Sequence, residues 1–305
     1  MHAEYGVAVA GSSRVMRQSG AAAVEPRPVA SPSGAAHPAP PHAAPDAPIA
    51  ALARVDGWRI TLADLDGAVA AIAGAAERGE SFSAVTLNLD HLVKLRRSEP
   101  FRRAYRAARF VTADGAPVAR LARLTNSAIT RTTGADLLVP LAEEAARRGI
   151  PVYLFGASGS VLATVGRALS VRSGGTLAIA GTDAPPQGFD PDSAAADAAL
   201  DRIVQSGARL CFLALGAPKQ EILAARAVAR GLPVGFVSVG AALDFVAGAQ
   251  TRAPAAMRHG GLEWLWRLAT NPRRLALRYT QCALLLVDLT VLAPIRQRLG
   301  GGRPA

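Results

Sequence analysis

From Val55 onward, short runs of apolar and β-branched residues alternate with longer stretches in which apolar residues recur every three or four positions. The period reports which face of an element is buried. The short runs predict strands over 84–89, 109–112, 151–155, 176–180, 209–215 and 233–239. The longer ones predict helices over 64–77, 116–124, 135–148, 160–169, 193–205 and 219–230. Such alternation is the mark of βα units, because the chain must cross a sheet face in a helix before it can lay down the next parallel strand. The predicted fold is α/β: one doubly wound, largely parallel, Rossmann-like sheet filling residues 51–251, with no internal repeat.

The two ends break the pattern. Residues 1–50 are dominated by Ala, Pro, Ser and Gly and hold too little large apolar surface to offset the entropy of ordering them, so a disordered leader is expected there. Residues 252–305 carry nine arginines against Glu263 and Asp288, a net of +7. The leader is neutral, so most of the chain's formal charge of +11 is a property of this C-terminal appendage. Such charge favours anionic partners: nucleic acid, phosphate-bearing small molecules or acidic lipid. Nucleic acid is disfavoured, because only 5% of residues are aromatic and the charge gathers on the tail instead of interleaving with stacking rings on the core. The two cysteines, Cys211 and Cys282, lie in apolar runs without a CxxC or Cys/His grouping, which leaves a reducing, cytoplasmic setting as the expectation and neither disulfide nor zinc. No continuous apolar run reaches roughly 18 residues, so no spanning helix is expected. The stretches 282–287 and 289–295, parted by Asp288, read as an interfacial helix flanked by arginines, or as one that docks on the core or on another subunit of a homo-oligomer.

Ligands of open α/β sheets sit beyond the carboxyl ends of the strands, so polar residues there are the candidates for chemistry. Alternation along 84–89 places Thr86, Asn88 and Asp90 on one face at a strand end, as ligand contacts or, for Asp90, as the N-cap of a following helix. Asp114-Gly115 follows the next strand. Its carboxylate is suited to take a proton from a hydroxyl, or simply to cap the helix that opens at Ala116-Pro117. The small-residue turn from Gly156 to Ser160 offers free amides for a phosphate or serves only packing. It lacks the spacing of the dinucleotide fingerprint and of the P-loop, which disfavours a nucleotide-sugar epimerase or dehydrogenase. After the strand ending at 215 come Lys219, Gln220 and Glu221 in the first turn of a helix. Glu221 suits a helix N-terminus, whereas Lys219 does not, and an anionic ligand or plain solvation accounts for it. In the tail, Trp264 and Trp266 neighbour Arg267, and Arg267, Arg274 and Arg278 would share a helical face if Pro272 did not break the helix.

Taken in order, Asn88-Leu89-Asp90-His91, Asp114-Gly115-Ala116-Pro117-Val118, Thr133-Gly134-Ala135-Asp136-Leu137, Gly216-Ala217-Pro218-Lys219-Gln220-Glu221, and Arg252-Ala253-Pro254 followed by 261–268 resemble the WecG/TagA/CpsF family of bacterial glycosyltransferases. The resemblance covers about 55–280. It implies an inverting enzyme, without metal or other cofactor, that moves a sugar from a UDP-sugar to an undecaprenyl-diphosphate-linked sugar in surface polysaccharide assembly. The enzyme would work at the cytoplasmic face of an anionic membrane. It further implies Asp114 as general base, Thr86, Asn88 and Gln220 lining the substrate pocket, and Gly134 as a site residue; Gly156, Lys219 and Glu221 are substrate-binding candidates from their places just after strands. Arg267 and Arg274 would then bring charge to the diphosphate, with Arg252 and Arg278 as further substrate-binding candidates of the basic tail. Where the family has Glu-Pro and Arg-Arg-Tyr in the tail, this chain has Asn271-Pro272 and Leu277-Arg278-Tyr279.

Overall fold

The computed structural model describes residues 49–254, 257, 263–270 and 272–295, all within the unit His42–Ala305. The expected leader therefore lies outside the described residues except for its last two.

Six parallel strands form the central sheet: β3 (Phe82–Leu87), β4 (Phe110–Ala113), β5 (Val152–Gly156), β6 (Ile179–Asp183), β7 (Leu210–Ala214) and β8 (Gly235–Ser238). Their order is β4-β3-β8-β7-β5-β6. All carboxyl ends thus lie along one edge, and β5 and β7 sit side by side although their outgoing connections run in opposite directions, to β6 and to β8. A strand reversal of this kind opens a crevice at the carboxyl edge.

Successive strand residues feed opposite layers. Ala84, Leu154, Phe212 and Val237 pack against α1 (Leu65–Glu77), α5 (Gly134–Arg147), α6 (Gly159–Arg172) and α9 (Ala242–Val246). Their neighbours Val85, Phe155, Leu213 and Phe236 face the other layer, built from α2 (Leu89–Leu95), α3 (Glu99–Ala107), α4 (Ala116–Arg123), α7 (Ala194–Gln205) and α8 (Lys219–Ala229). Most helices start on a side-chain cap: Asp64, Asn88, Ser98, Thr133, Ser158 and Ser193 each accept from a backbone N–H of the first turn. Each such cap is worth about 1 kcal/mol, because the first-turn donors have no partner within the helix.

All six predicted helices and six predicted strands are present; α3 and α9 come in addition, and three differences concern the strands. The first strand stops at Leu87 because Asn88 turns the chain by capping α2, so Asp90 sits inside a helix and does not share a strand face with Thr86. The run 176–180 becomes a strand only at Ile179, since Gly174 and Gly175 turn with positive φ just before it. A hairpin, β1 (Ala53–Val55) and β2 (Trp58–Ile60), precedes the sheet; its Asp56-Gly57 turn has φ of 51° and 79°, the left-handed pair that a two-residue hairpin needs.

The appendage differs from expectation more strongly. Pro272 opens α11 (Pro272–Val287) and so separates it from α10 (Glu263–Thr270), which removes Arg267 from the helical face of Arg274 and Arg278. Leu275–Ile295 runs as one helix of 21 residues, long and apolar enough to cross a membrane by length and composition. The helix passes through Asp288 as a π turn, and the carboxylate is compensated by Arg96, 2.9 Å away, which also grips Asp56 of the hairpin with two 3.0 Å bonds. One side of the helix is seated on the protein through Cys282 and Leu285, which join the apolar cluster of α2, α3 and α4. The opposite side exposes Leu277 (71%), Leu284 (67%), Val287, Val291 and Ile295.

Candidate active site

At the carboxyl edge, β3 and β4 pair in register with Thr86 opposite Thr112 and Leu87 opposite Ala113, so the residues just beyond both strands meet. The Asp114 N–H donates to the Leu87 carbonyl at 2.8 Å. Its carboxylate Oδ2 accepts from Thr86 Oγ1 and from Asn88 Nδ2, both at 3.2 Å. Asn88 has no rotational choice here, because its Oδ1 already accepts the His91 N–H at 2.9 Å as the cap of α2. The cap of α4 is Gly115, with φ of 80° and no side-chain bond, so the capping reading of Asp114 fails; likewise Asn88, not Asp90, caps α2. A half-buried carboxylate oriented by two donors at a ligand-facing edge is the geometry a general base requires.

Beneath it lies a polar floor. Tyr105 of α3 donates to the Thr86 carbonyl at 3.2 Å, and its hydroxyl lies 2.6 Å from His91 Nδ1. Burial holds His91 neutral, its pKa pushed down to about 3, so it anchors the floor without titrating near neutrality.

The turn from β7 into α8 carries Lys219, Gln220 and Glu221. Lys219 is half-buried and makes no ion pair among the described residues. An unpaired cation at a helix N-terminus opposes the helix dipole, which favours an anion next to it. Gln220 is 3% exposed, and both ends of its amide are engaged: Nε2 donates to Glu221 Oε1 at 2.8 Å, and Oε1 accepts the Gly240 N–H at 3.3 Å. It thus ties α8 to the end of β8. Glu221 is 1% exposed, with Oε2 unbonded. Burial pushes its carboxyl up to about 7, against the pull of the Gln220 amide and Lys94 and with a further rise from Asp90. The expected dipole role at the helix N-terminus therefore gives way to a buried carboxyl that is largely neutral below pH 7.

Two of the glycines have steric reasons to be glycine. A Cβ on Gly134 would stand 2.8 Å from the Val239 carbonyl oxygen, so α5 can start only by touching the end of β8. Gly156 has φ of 99°, and a Cβ there would meet the Ala214 carbonyl group at 2.6 Å. Its role is thus close packing of β5 on β7, and Ser158 takes over as cap of α6. Arg252 reaches Asp136 Oδ1 at 2.5 Å, with Arg131 at 3.6 Å from the other oxygen. Burial opposes charge on Asp136, but its hydrogen bonds from Arg252 and Thr133 win and hold its pKa below the ordinary value. Arg252 accordingly braces the start of α5. Arg278 contacts Asp90 Oδ1 at 2.8 Å. The side chains of Arg267 and Arg274 lie outside the described residues.

Lys94 belongs to none of the motifs above, yet its ammonium is 2.7 Å from Asp90 Oδ2 and donates to the Ala217 carbonyl at 3.1 Å. Its only sequence signal is the i, i+4 spacing to Asp90. Among the described residues no group of His, Cys, Asp and Glu is arranged to hold a metal ion. A cleft of about 400 Å³ between Pro185, Phe189 and Arg202 adjoins β6, at the opposite edge of the sheet from Asp114.

Comparison with known families places residues 53–300 on the model of the glycosyl transferase WecG/TagA/CpsF family. That match takes in the whole sheet, the Asp114 cluster, the α8 turn and the C-terminal helices. The chain belongs to this family, and is a glycosyltransferase of cell-surface polysaccharide synthesis that transfers a sugar from a nucleotide-sugar donor to a sugar acceptor.

Proposed function

We propose that the donor is a UDP-sugar, that the acceptor is a sugar on undecaprenyl diphosphate, and that transfer proceeds with inversion and without a metal. The observation that carries this reading is the Asp114 carboxylate, held by Thr86 and Asn88 where two strands end. Asp114 takes the proton of the acceptor hydroxyl as its oxygen attacks the anomeric carbon from the face opposite the leaving diphosphate. The C–O bond to that diphosphate breaks as the new bond forms, and the growing negative charge needs cations in a water-poor setting. Lys219, without an ion pair among the described residues, supplies positive charge at this edge of the protein, whereas the Arg278 guanidinium is held by Asp90. Arg267 and Arg274 belong to the same reading as further diphosphate contacts from the appendage.

Residues 51–251 act as the catalytic core and 252–305 as an appendage that meets the cytoplasmic membrane face. The outward stripe of Leu277, Leu284 and Val291 next to basic residues supports that placement. The test is UDP release from a panel of UDP-sugars, with EDTA present, with and without a lipid-diphosphate-sugar analogue. One donor should turn over only with acceptor, and Asp114→Asn should lower kcat about 10²- to 10⁴-fold. Turnover abolished by EDTA, or an Asp114→Asn variant as fast as wild type, would reject the mechanism.

A further inference from the structure

The chemistry above leaves one charged cluster unused. Asp90 lies on α2 with its side chain nine-tenths buried, and both oxygens face cations: Lys94 Nζ at 2.7 Å from Oδ2 and Arg278 Nε at 2.8 Å from Oδ1. Lys94 belongs to the same helix, one turn on, and also donates to the Ala217 carbonyl at 3.1 Å. Arg278 belongs to α11. Three side chains and one carbonyl therefore form a continuous path from the C-terminal helix, through α2, to the turn that starts α8.

A carboxylate this buried must be compensated. With Arg278 in place, each oxygen has its own cation, and Lys94 retains a donor for Ala217. Without Arg278, Lys94 is the one remaining cation among the described residues in contact with Asp90, and its ammonium is drawn toward the carboxylate and away from the Ala217 carbonyl. That bond fixes the residue two positions ahead of Lys219 and three ahead of Gln220, so releasing it changes how both side chains leave the turn.

We propose that Lys94 is a positioning residue that, through Asp90, makes the geometry of the Gly216–Gln220 turn depend on the seating of the C-terminal helix. The first turn of α8 is then set for its anionic ligand only when α11 is docked. The identity of that ligand rests on the function proposed above; the mechanical link does not.

The link is tested by hydrogen exchange on the full chain without ligand, for wild type, Arg278→Gln, Lys94→Met, Lys94→Arg and the Arg278→Gln/Lys94→Met double variant. The amides to follow are those of α11 and of Gln220 and Ile222, which bond to the Gly216 and Pro218 carbonyls. Arg278 is half-exposed, so Arg278→Gln is the variant least prone to unfold the chain. It should speed exchange about tenfold both in α11 and in the α8 turn, which it does not touch. Lys94→Met should loosen the turn to the same extent, Lys94→Arg should restore it, and the double variant should add nothing in the turn. Loosening confined to α11 in Arg278→Gln, or additive effects in the double variant, would overturn the link.

Calorimetry with UDP reads the consequence: Lys94→Met should weaken binding about tenfold while Lys94→Arg does not. Unchanged UDP affinity alongside a loosened turn would overturn the positioning role. Wild type that fails to bind UDP would count against the donor class, with the exchange results still deciding the link.

Discussion

Replacing Glu221 by Gln should make the protein more stable above neutral pH and progressively less so, relative to wild type, as pH falls. Glu221 is buried, its Oε1 takes the Gln220 amide, and its Oε2 has no partner. The charged groups around it oppose each other: Lys94 of α2 favours the carboxylate, Asp90 of the same helix disfavours it, and on α3 the Tyr105 hydroxyl is itself pushed up by burial and by Glu221. The net result is a carboxyl raised from 4.5 to about 7 in the folded chain, which at 1.36 kcal/mol per pH unit corresponds to roughly 3 kcal/mol. The folded state holds this proton more tightly than the unfolded state, so the stability it contributes is complete below pH 4.5 and is lost as pH rises through 7. Gln carries no such proton and its curve lacks that loss. The NH2 of Gln takes the position of Oε2, which has no partner, and leaving it unsatisfied costs about 1 kcal/mol at every pH. The slope is therefore the test, and the intercept is not. His91 acts in the opposite sense: held neutral with a pKa near 3, it withdraws stability as pH falls below 6.5, but equally in both proteins. Urea unfolding at intervals from pH 4 to pH 9 gives the difference curve. A difference that stays flat across that range would refute the reasoning.

Three more outcomes follow from the same geometry. Gly134→Ala should destabilise by about 1–3 kcal/mol in urea unfolding, since its Cβ meets the Val239 backbone, and Gly156→Ala should cost more because it also forces a non-glycine residue to a φ of 99°. Arg252→Ala should lower stability by about 1–2 kcal/mol near pH 7 and leave donor KM unchanged. Because the Asp136 pKa is held below its ordinary value, that stabilisation is present above 3.8 and disappears as pH falls through the folded value, so the variant and wild type should converge in acid. Leu284→Gln, on the outward side of α11, should reduce co-flotation with anionic vesicles several-fold while leaving unfolding within about 0.5 kcal/mol of wild type.

The alternation of strands and helices was legible because each element declares itself within about a dozen residues, through the period of its apolar positions. Even the hairpin was written locally in Asp56-Gly57 between apolar neighbours, and α3 in Ser98 and Pro100 ahead of Phe101, Ala104 and Tyr105, though neither was read. The candidate base was legible as a carboxylate at a strand end, but the partners that orient it were not, since Thr86 and Asn88 lie 28 and 26 residues away and reach Asp114 only through the register of β3 on β4. Gln220 and Glu221 looked like pocket-facing side chains and turned inward, because β8 brings Gly240 and α2 brings Lys94 to them. Arg252 and Arg278 looked like anion ligands, and tertiary packing gave each a carboxylate. Sequence alone determines periodicity, caps and turn chemistry, which depend on neighbours along the chain. Which oxygen receives which donor depends on groups far apart in the chain, and only the packing of the sheet and its helices decides it.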